Sequence, residues 1–345
     1  MRALRVHEYN TRPSLDKVAD PTLRGALDVL VEVNAAGVCR TDLHIVEGQW
    51  ADKTGVELPH ILGHENAGTV VEVGSAVSNV RPGDRVILHP LVTCGLCRAC
   101  RDGDDVHCAN STFPGLNSKG GLADYLRTNA RACIKLADGL EPAAVAALAD
   151  AGLTAYHAIR KARPLLHPSS HVVLIGAGGL GHIGVQCLTA LTPAEITVVD
   201  RSAEALQVAT ELGAHHTVLA DGTELDQVRE LTQGAGAHVV LDFVGEGGTE
   251  HTGVAMTCNA GSYFVIGYGG AVNLATIDIV SREISVVGNL VGSYTDLDDL
   301  MTLAAHGRVQ LRTTRYGMGS VLKALDDLEH GQLPGGRAIV EPVPR

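Results

Sequence analysis

The chain has 345 residues, long for one domain and natural for two. Hydrophobic residues at 45% and charged residues at 19% describe a soluble chain with an ample core, which aromatics at only 3% make aliphatic. A net charge of −12 excludes a nucleic-acid partner, because neutralising phosphates requires clustered Lys and Arg, and none is visible. No apolar run reaches the ~18–20 residues that span a bilayer, and Met1–Glu8 lacks the apolar stretch and cleavage site of a signal peptide. The expected location is the cytoplasm, with no membrane partner. Eight cysteines there point to metal ligands or core thiols rather than disulfides.

Short strands open the chain, Ala3-Leu4-Arg5-Val6 and Val29-Leu30-Val31-Glu32-Val33, and glycines and prolines recur up to residue 90. That pattern predicts a compact β-rich domain with many turns. Within it stand Gly37-Val38-Cys39-Arg40-Thr41-Asp42-Leu43-His44 and Gly63-His64-Glu65. Cys39 and His64 offer a thiolate and an imidazole, ligands that zinc favours, with Asp42 and Glu65 placed to orient them. Taken alone, Cys39 reads more often as a small buried hydrophobe than as a ligand, and a lone His as a core or surface residue.

Cys94, Cys97, Cys100 and Cys108 give C-x₂-C-x₂-C-x₇-C inside a lobe rich in Asp, Gly and Arg, residues 90–110. Such a lobe cannot make a hydrophobic core, and four thiolates round one zinc supply the missing folding free energy. The site is closed and structural; an iron–sulfur cluster is the rival occupant. A helical stretch, Pro142–Leu148, then leads to Asp150-Ala151-Gly152-Leu153-Thr154-Ala155-Tyr156-His157, where Asp150 by itself reads as a helix cap.

A strand, a glycine turn, a helix and a second strand follow over residues 171–200. Val172-Val173-Leu174-Ile175 runs into Gly176-Ala177-Gly178-Gly179-Leu180-Gly181, a G-x-G-x-x-G turn, and Ile196-Thr197-Val198-Val199 ends at Asp200. Gly176 permits the tight turn, Gly178 leaves room for a pyrophosphate, and Gly181 lets the new helix pack on the sheet. With Gly179 and Leu180 they form the cofactor loop, whose helix N-terminus binds diphosphate. Asp200 lies where a carboxylate meets the ribose hydroxyls and repels a 2′-phosphate, so NAD is favoured over NADP; the adjacent Arg201 weakens that preference. The turn, its flanking elements and the acid together predict a dinucleotide site.

After Asp200, helices at Ala203–Leu212, Glu224–Leu231 and Gly248–Cys258 alternate with strands at Val218–Leu219, His238–Leu241, Tyr263–Ile266 and Ile284–Val287. They complete a doubly wound parallel sheet. Cys133, Cys187 and Cys258 show no ligand spacing and read as core thiols.

Taken in order, G-V-C-R-T-D-L-H at 37–44, G-H-E at 63–65, the four-cysteine lobe, D-A-G-L-T-A-Y-H at 150–157, G-A-G-G-L-G with Asp200, and G-G-R-A-I-V at 335–340 resemble the zinc-dependent medium-chain alcohol dehydrogenases over essentially the whole chain. The resemblance implies an α/β protein with a GroES-like β-rich catalytic domain (1–152, completed by 289–345) and a Rossmann NAD-binding domain (153–288). It implies two zinc ions per subunit, one structural and one catalytic, the latter held by Cys39, His64 and Asp150. Asp150 replaces the second thiolate of the Cys₂His pattern, a harder ligand that leaves the metal more electrophilic. Glu65 is implied beside the metal, and Arg40 and Arg337 at the cofactor pyrophosphate. Hydride passes reversibly between the alcohol carbon and the nicotinamide, with zinc as Lewis acid and a proton relay from Thr41 through the cofactor ribose to His44.

Trp50, the Phe113–Leu116 stretch and Asn289–Gly292 are expected to line the substrate cleft, with Trp50 and Leu290 as pocket residues. The expected substrate is a primary or secondary alcohol, or the aldehyde or ketone in reverse. A polyol or amino-alcohol dehydrogenase is the neighbouring alternative, and a non-catalytic NAD- and zinc-binding relative the rival from another class. Cys39, His64, Asp150, Thr41 and His44 together speak against the rival, because a structural protein needs no open zinc position. A homodimer or homotetramer built through the Rossmann domains is implied.

Overall fold

The computed structural model describes residues 1–51, 55–333 and 336–342. In chain order the strands are β1 (Arg2–Val6), β2 (Ser14–Lys17), β3 (Asp28–Val38), β4 (His60–Ile61), β5 (Glu65–Val73), β6 (Arg85–Leu88), β7 (Tyr125–Asn129), β8 (Cys133–Lys135), β9 (His171–Ile175), β10 (Glu195–Asp200), β11 (His216–Leu219), β12 (Ala237–Asp242), β13 (Thr257–Val265), β14 (Ser285–Gly288), β15 (Thr313–Gly317) and β16 (Arg337–Glu341). The chain divides into two units, residues 1–151 with 293–345 and residues 152–292.

The first unit holds a three-stranded sheet, β2-β1-β4, and a seven-stranded sheet in the order β15-β16-β3-β5-β6-β8, with β7 also paired to β3. Strand β3 alternates buried and half-buried positions from Asp28 to Ala35, as a one-faced strand does, and then becomes wholly buried over Ala36-Gly37-Val38. It thereby carries Cys39 into the interior. Antiparallel pairing of β3 with β5 sets Gly37 opposite Glu65, immediately after His64. Two sequence motifs 25 residues apart meet through that register. Leu4, Val31, Val33, Val86, Leu122 and Val340 are among the aliphatic residues of its core.

The second unit is a six-stranded sheet in the order β11-β10-β9-β12-β13-β14, every pair parallel. Strands β9, β10 and β12 are buried nearly end to end, which is why their sequences are continuous apolar runs rather than alternations. The order reverses between β9 and β12, and the glycine turn leaves the carboxyl end of β9 there, the place where open α/β sheets bind ligands. Two elements of this unit depart from the sequence reading by more than two residues. A helix at Thr276–Arg282 was not anticipated, and β13 begins at Thr257, where the reading had a helix continuing to Cys258. Ala260 in the left-handed region and a register shift against β12 break that strand's pattern.

Candidate active site and metal centres

Helix Arg40–Val46 starts where β3 ends, with Cys39 as its N-cap residue and Asp42 in its first turn. Asp42, wholly buried, accepts the Cys39 N–H at 2.9 Å and the Gly63 N–H at 3.2 Å, and its Oδ1 lies 3.5 Å from His64 Nδ1. One carboxylate thus ties together the two chain segments that carry the thiol and the imidazole. On the other side of the ring, His64 Nε2 lies 3.5 Å from Asp150 Oδ2. Donor atoms of Cys39, His64, Glu65 and Asp150 all fall within 4.8 Å of one another.

This arrangement seeks a cation. Both ring nitrogens of His64 and Oδ1 of Asp150 are buried without a hydrogen-bond partner, a costly state that a coordinated ion removes. Burial opposes charge on His64, but the Asp42 carboxylate and the nearby Asp150 and Cys39 side chains outweigh it and hold the ring's pKa well above that of free imidazole. A thiol, an imidazole and a carboxylate round a buried point form a set that zinc accepts.

Asp150 is not the helix cap its position suggested, since its side chain faces His64. Glu65 serves helix Ala151–Ala162 instead: its Oε1 accepts the Ala151 N–H at 3.0 Å. The other Glu65 oxygen is paired with the Arg337 guanidinium, a contact the sequence reading did not foresee. Burial pushes the Glu65 pKa up while the Arg337 charge draws it down, and the net direction is upward. Arg337, expected at a diphosphate, is only 3% exposed and also interacts with Cys39, so its side chain lies beside the Cys39–His64 cluster. Gly335, in the same motif, lies outside the described residues. Phe113 stands edge-on to His64, with ring centroids 5.9 Å apart, so one member of the anticipated 113–116 stretch reaches the site. His44 is buried in the last turn of helix Arg40–Val46, and Thr41 is half-buried in its first, while Arg40 is exposed. Trp50 is half-buried and packs on the first unit's core.

In the 90–110 lobe, the four thiols of Cys94, Cys97, Cys100 and Cys108 also lie within 4.8 Å of one another. The N–H groups of Leu96 and Cys97 point at Cys94 Sγ, each at 3.4 Å, and the Cys94 N–H points at Cys108 Sγ at 3.3 Å. Backbone donors of this kind stabilise thiolate, lowering the Cys94 pKa to about 6 and that of Cys97 in the same direction; burial pushes Cys100 up to about 12.

In the second unit the glycine turn is built as its composition requires. Gly176 has φ +92°, and a Cβ on Gly181 would fall 1.8 Å from the Gly176 carbonyl oxygen, so neither tolerates a side chain. At Gly178 a Cβ would meet nothing within 4 Å, the open approach a diphosphate needs. Gly179 and Leu180 lead into helix Gly181–Leu191. Asp200 accepts the Ala177 N–H at 2.6 Å and the Ser202 N–H at 2.7 Å, which locks the carboxylate to the turn and leaves further lone pairs for a ribose diol. Arg201 beside it is exposed, as is Leu290, at 55%.

Residues 25–138 match the alcohol dehydrogenase GroES-like domain and residues 179–306 the zinc-binding dehydrogenase domain. An NAD-dependent alcohol dehydrogenase of Sulfolobus acidocaldarius is 34% identical over 98% of this chain and 99% of its own. The chain belongs to the zinc-dependent medium-chain alcohol dehydrogenase family. The crystal structure of the alcohol dehydrogenase from Aeropyrum pernix superposes with a TM-score of 0.96 at 43% identity, covering 99% of this chain and 100% of that one. A D-arabinose 1-dehydrogenase (NADP(+)) of Saccharolobus solfataricus is 33% identical over 98% of this chain and 97% of its own. Both family domains expected from the motifs are present. Among the described residues no helix is long and apolar enough to cross a membrane.

Proposed function

We propose that this family member is an NAD-dependent alcohol dehydrogenase acting reversibly on a primary or secondary alcohol and the corresponding aldehyde or ketone. The observation that carries the reading is the cluster of Cys39, His64 and Asp150, in which both ring nitrogens of His64 and Oδ1 of Asp150 are buried without a partner, a set that fits one zinc ion. The polyol and amino-alcohol reading is not favoured. A substrate panel followed by NADH absorbance in both directions, with NAD and with NADP, tests it; absence of turnover with any simple alcohol or carbonyl compound would overturn it.

When bound, zinc would supply a Lewis acid that stabilises negative charge on the alcohol oxygen. The chain's own groups do the rest. Asp42 holds Cys39 and His64 in register, and Glu65, fixed by Arg337 and the Ala151 N–H, sets the acidic wall of the site. Thr41 would accept the alcohol proton and His44 would hand it to solvent; a bound cofactor would supply the ribose hydroxyl between them. Residues 1–152 with 289–345 form the catalytic domain, and residues 153–288 bind NAD through Gly176, Gly178, Gly179, Leu180, Gly181 and Asp200. Arg40 and Arg201, both exposed, are assigned to cofactor phosphate or ribose. Trp50 and Leu290 are assigned, each within its own unit, to substrate contact. The second zinc is held by Cys94, Cys97, Cys100 and Cys108, and the protein acts in the cytoplasm.

His44→Ala should slow alcohol oxidation most at low pH, where solvent is a poor base, with part of the loss restored by imidazole buffer. Equal loss at every pH without rescue would remove His44 from the relay. Asp200→Gly should move cofactor preference towards NADP by about tenfold or more, because it deletes the charge that repels a 2′-phosphate and the acceptor of the ribose diol. Its check is the ratio of kcat/KM for the two cofactors; an unaltered ratio shifts the assignment to Arg201.

A homodimer or homotetramer is the proposed assembly. Ile277 and Val280 on helix Thr276–Arg282, 67% and 71% exposed, accompany Val286 on the edge strand β14, an apolar strip of the kind that marks an interface. Sedimentation as a monomer at micromolar concentration would contradict it.

A further inference from the structure

One buried histidine near the metal ligands has no part in the chemistry above. His60 opens β4 and is 3% exposed; its Nε2 is buried without a hydrogen-bond partner, and its ring is hydrogen-bonded to the backbone of Gly115. Burial lowers its pKa against the pull of that bond and of the Asp42 charge, which leaves a neutral imidazole able to serve as a fixed hydrogen-bonding post.

What the post holds is the turn over the ligand histidine. Gly115 has φ +91°, and a Cβ there would lie 2.6 Å from the Gly63 carbonyl carbon and 2.9 Å from the His64 nitrogen, so the turn rests directly on the Gly63–His64 peptide. The Gly115 N–H donates to the Ser118 carbonyl at 2.7 Å, closing the turn, and Phe113 from the same turn meets the His64 ring edge-on. The chain then runs alongside the ligand segment, with the Gly120 N–H on the Ile61 carbonyl and the Gly121 N–H on the Gly63 carbonyl, each at 2.8 Å. From the opposite direction Asp42 accepts the Gly63 N–H. His64 is therefore clamped along its backbone and on its ring, and the His60 side chain fastens the Gly115 backbone.

We infer that His60 is a positioning residue for His64, holding the Gly115 turn down on the Gly63–His64 peptide so that the imidazole keeps its metal-binding orientation. The inference rests on reading His64 as a metal ligand. Groups that orient ligands from behind typically change metal affinity by about 10–100-fold when removed, because a site works only when its ligands are held within about 0.5 Å of the productive geometry.

The test follows zinc release from the zinc-loaded protein to a coloured chelator, together with kcat, KM and thermal melting. The unmodified protein should release zinc in two classes, a labile one from the Cys39, His64 and Asp150 site and a resistant one from the four cysteines. His60→Phe, which keeps a ring but loses the hydrogen bond, should speed the labile class about tenfold or more. The resistant class should be unchanged and kcat should fall while KM for NAD holds. His60→Asn, which restores a short hydrogen-bonding side chain, should recover most of both effects. Labile release at the unmodified rate in His60→Phe, or His60→Asn as impaired as His60→Phe, overturns the inference. If His60→Phe does not fold, His60→Asn decides alone: release within about threefold of the unmodified rate supports the clamp, and a tenfold rise overturns it. A single release class in the unmodified protein would instead remove the catalytic-metal reading and, with it, the inference that rests on it.

Discussion

Asp150→Ala will leave the protein folded and the four-cysteine metal in place, while kcat/KM for alcohol oxidation falls by about 10³-fold or more. The Asp150 side chain makes no helix cap; one oxygen is buried without a partner and the other lies 3.5 Å from His64. Deleting it costs the fold little, within about 1 kcal/mol, because no satisfied interaction is lost. The loss falls on the metal. Lewis-acid stabilisation is worth several kcal/mol, and each 1.36 kcal/mol is about tenfold in rate. Asp150→Cys should separate ligand loss from a simple change of charge, since it supplies the Cys₂His set of other catalytic zinc sites and should retain the metal. Metal analysis beside steady-state kinetics and a thermal melt checks both variants. Activity of Asp150→Ala within tenfold of the unmodified enzyme, at normal metal content, would remove Asp150 from the ligand set.

The opposite division of effects belongs to Cys100→Ser. Leu96 at the tip of its lobe is 73% exposed, and helix Arg98–Arg101 buries none of its residues, so the segment has little apolar area with which to hold itself together. Structural zinc contributes apparent binding free energies of about 10–16 kcal/mol in small peptides, comparable with the whole stability of an ordinary domain. Losing even a few kcal/mol of it should lower the melting temperature by about 10 °C and open the lobe to proteolysis between residues 90 and 110. Turnover by the molecules that remain folded should stay within about threefold. Zinc rather than iron in metal analysis, in a colourless protein, settles the occupant. A melting temperature unchanged by Cys100→Ser would mean that the lobe needs no metal.

The two metal clusters were unequally legible for a physical reason. Four cysteines within fifteen residues close on one point through local backbone geometry, so their spacing carries the site almost by itself. Cys39, His64 and Asp150 come from separate segments, and without a family pattern each has a plain structural explanation. Their meeting depends on β3 pairing with β5 and on Asp42 bonding to both Cys39 and Gly63. The Glu65–Arg337 pair lies further still from any local signal, joining residues 272 positions apart. His60 carries no motif, and only the placement of Gly115 over His64 shows what it does. Helix Thr276–Arg282 was missed because Ile277 and Val280 face solvent, and a helix that buries no apolar stripe in its own unit leaves no inward-facing period to read.

By itself the sequence determined the element types of the second unit apart from helix Thr276–Arg282 and the start of β13, the glycine turn with Asp200 at its proper distance, and the four-cysteine lobe. In each of these the relevant physics acts over a few residues: continuous apolar runs for strands buried on both faces, absent Cβ atoms where backbone meets backbone, and ligand spacing within one loop. Tertiary structure alone decided that Asp150 faces His64 instead of capping a helix, that Glu65 caps that helix and pairs with Arg337, and that the 113–122 segment clamps the ligand histidine. Those outcomes turn on burial, because carboxylates and imidazoles removed from water must find partners wherever the folded chain brings them, and sequence distance does not limit which partners they find.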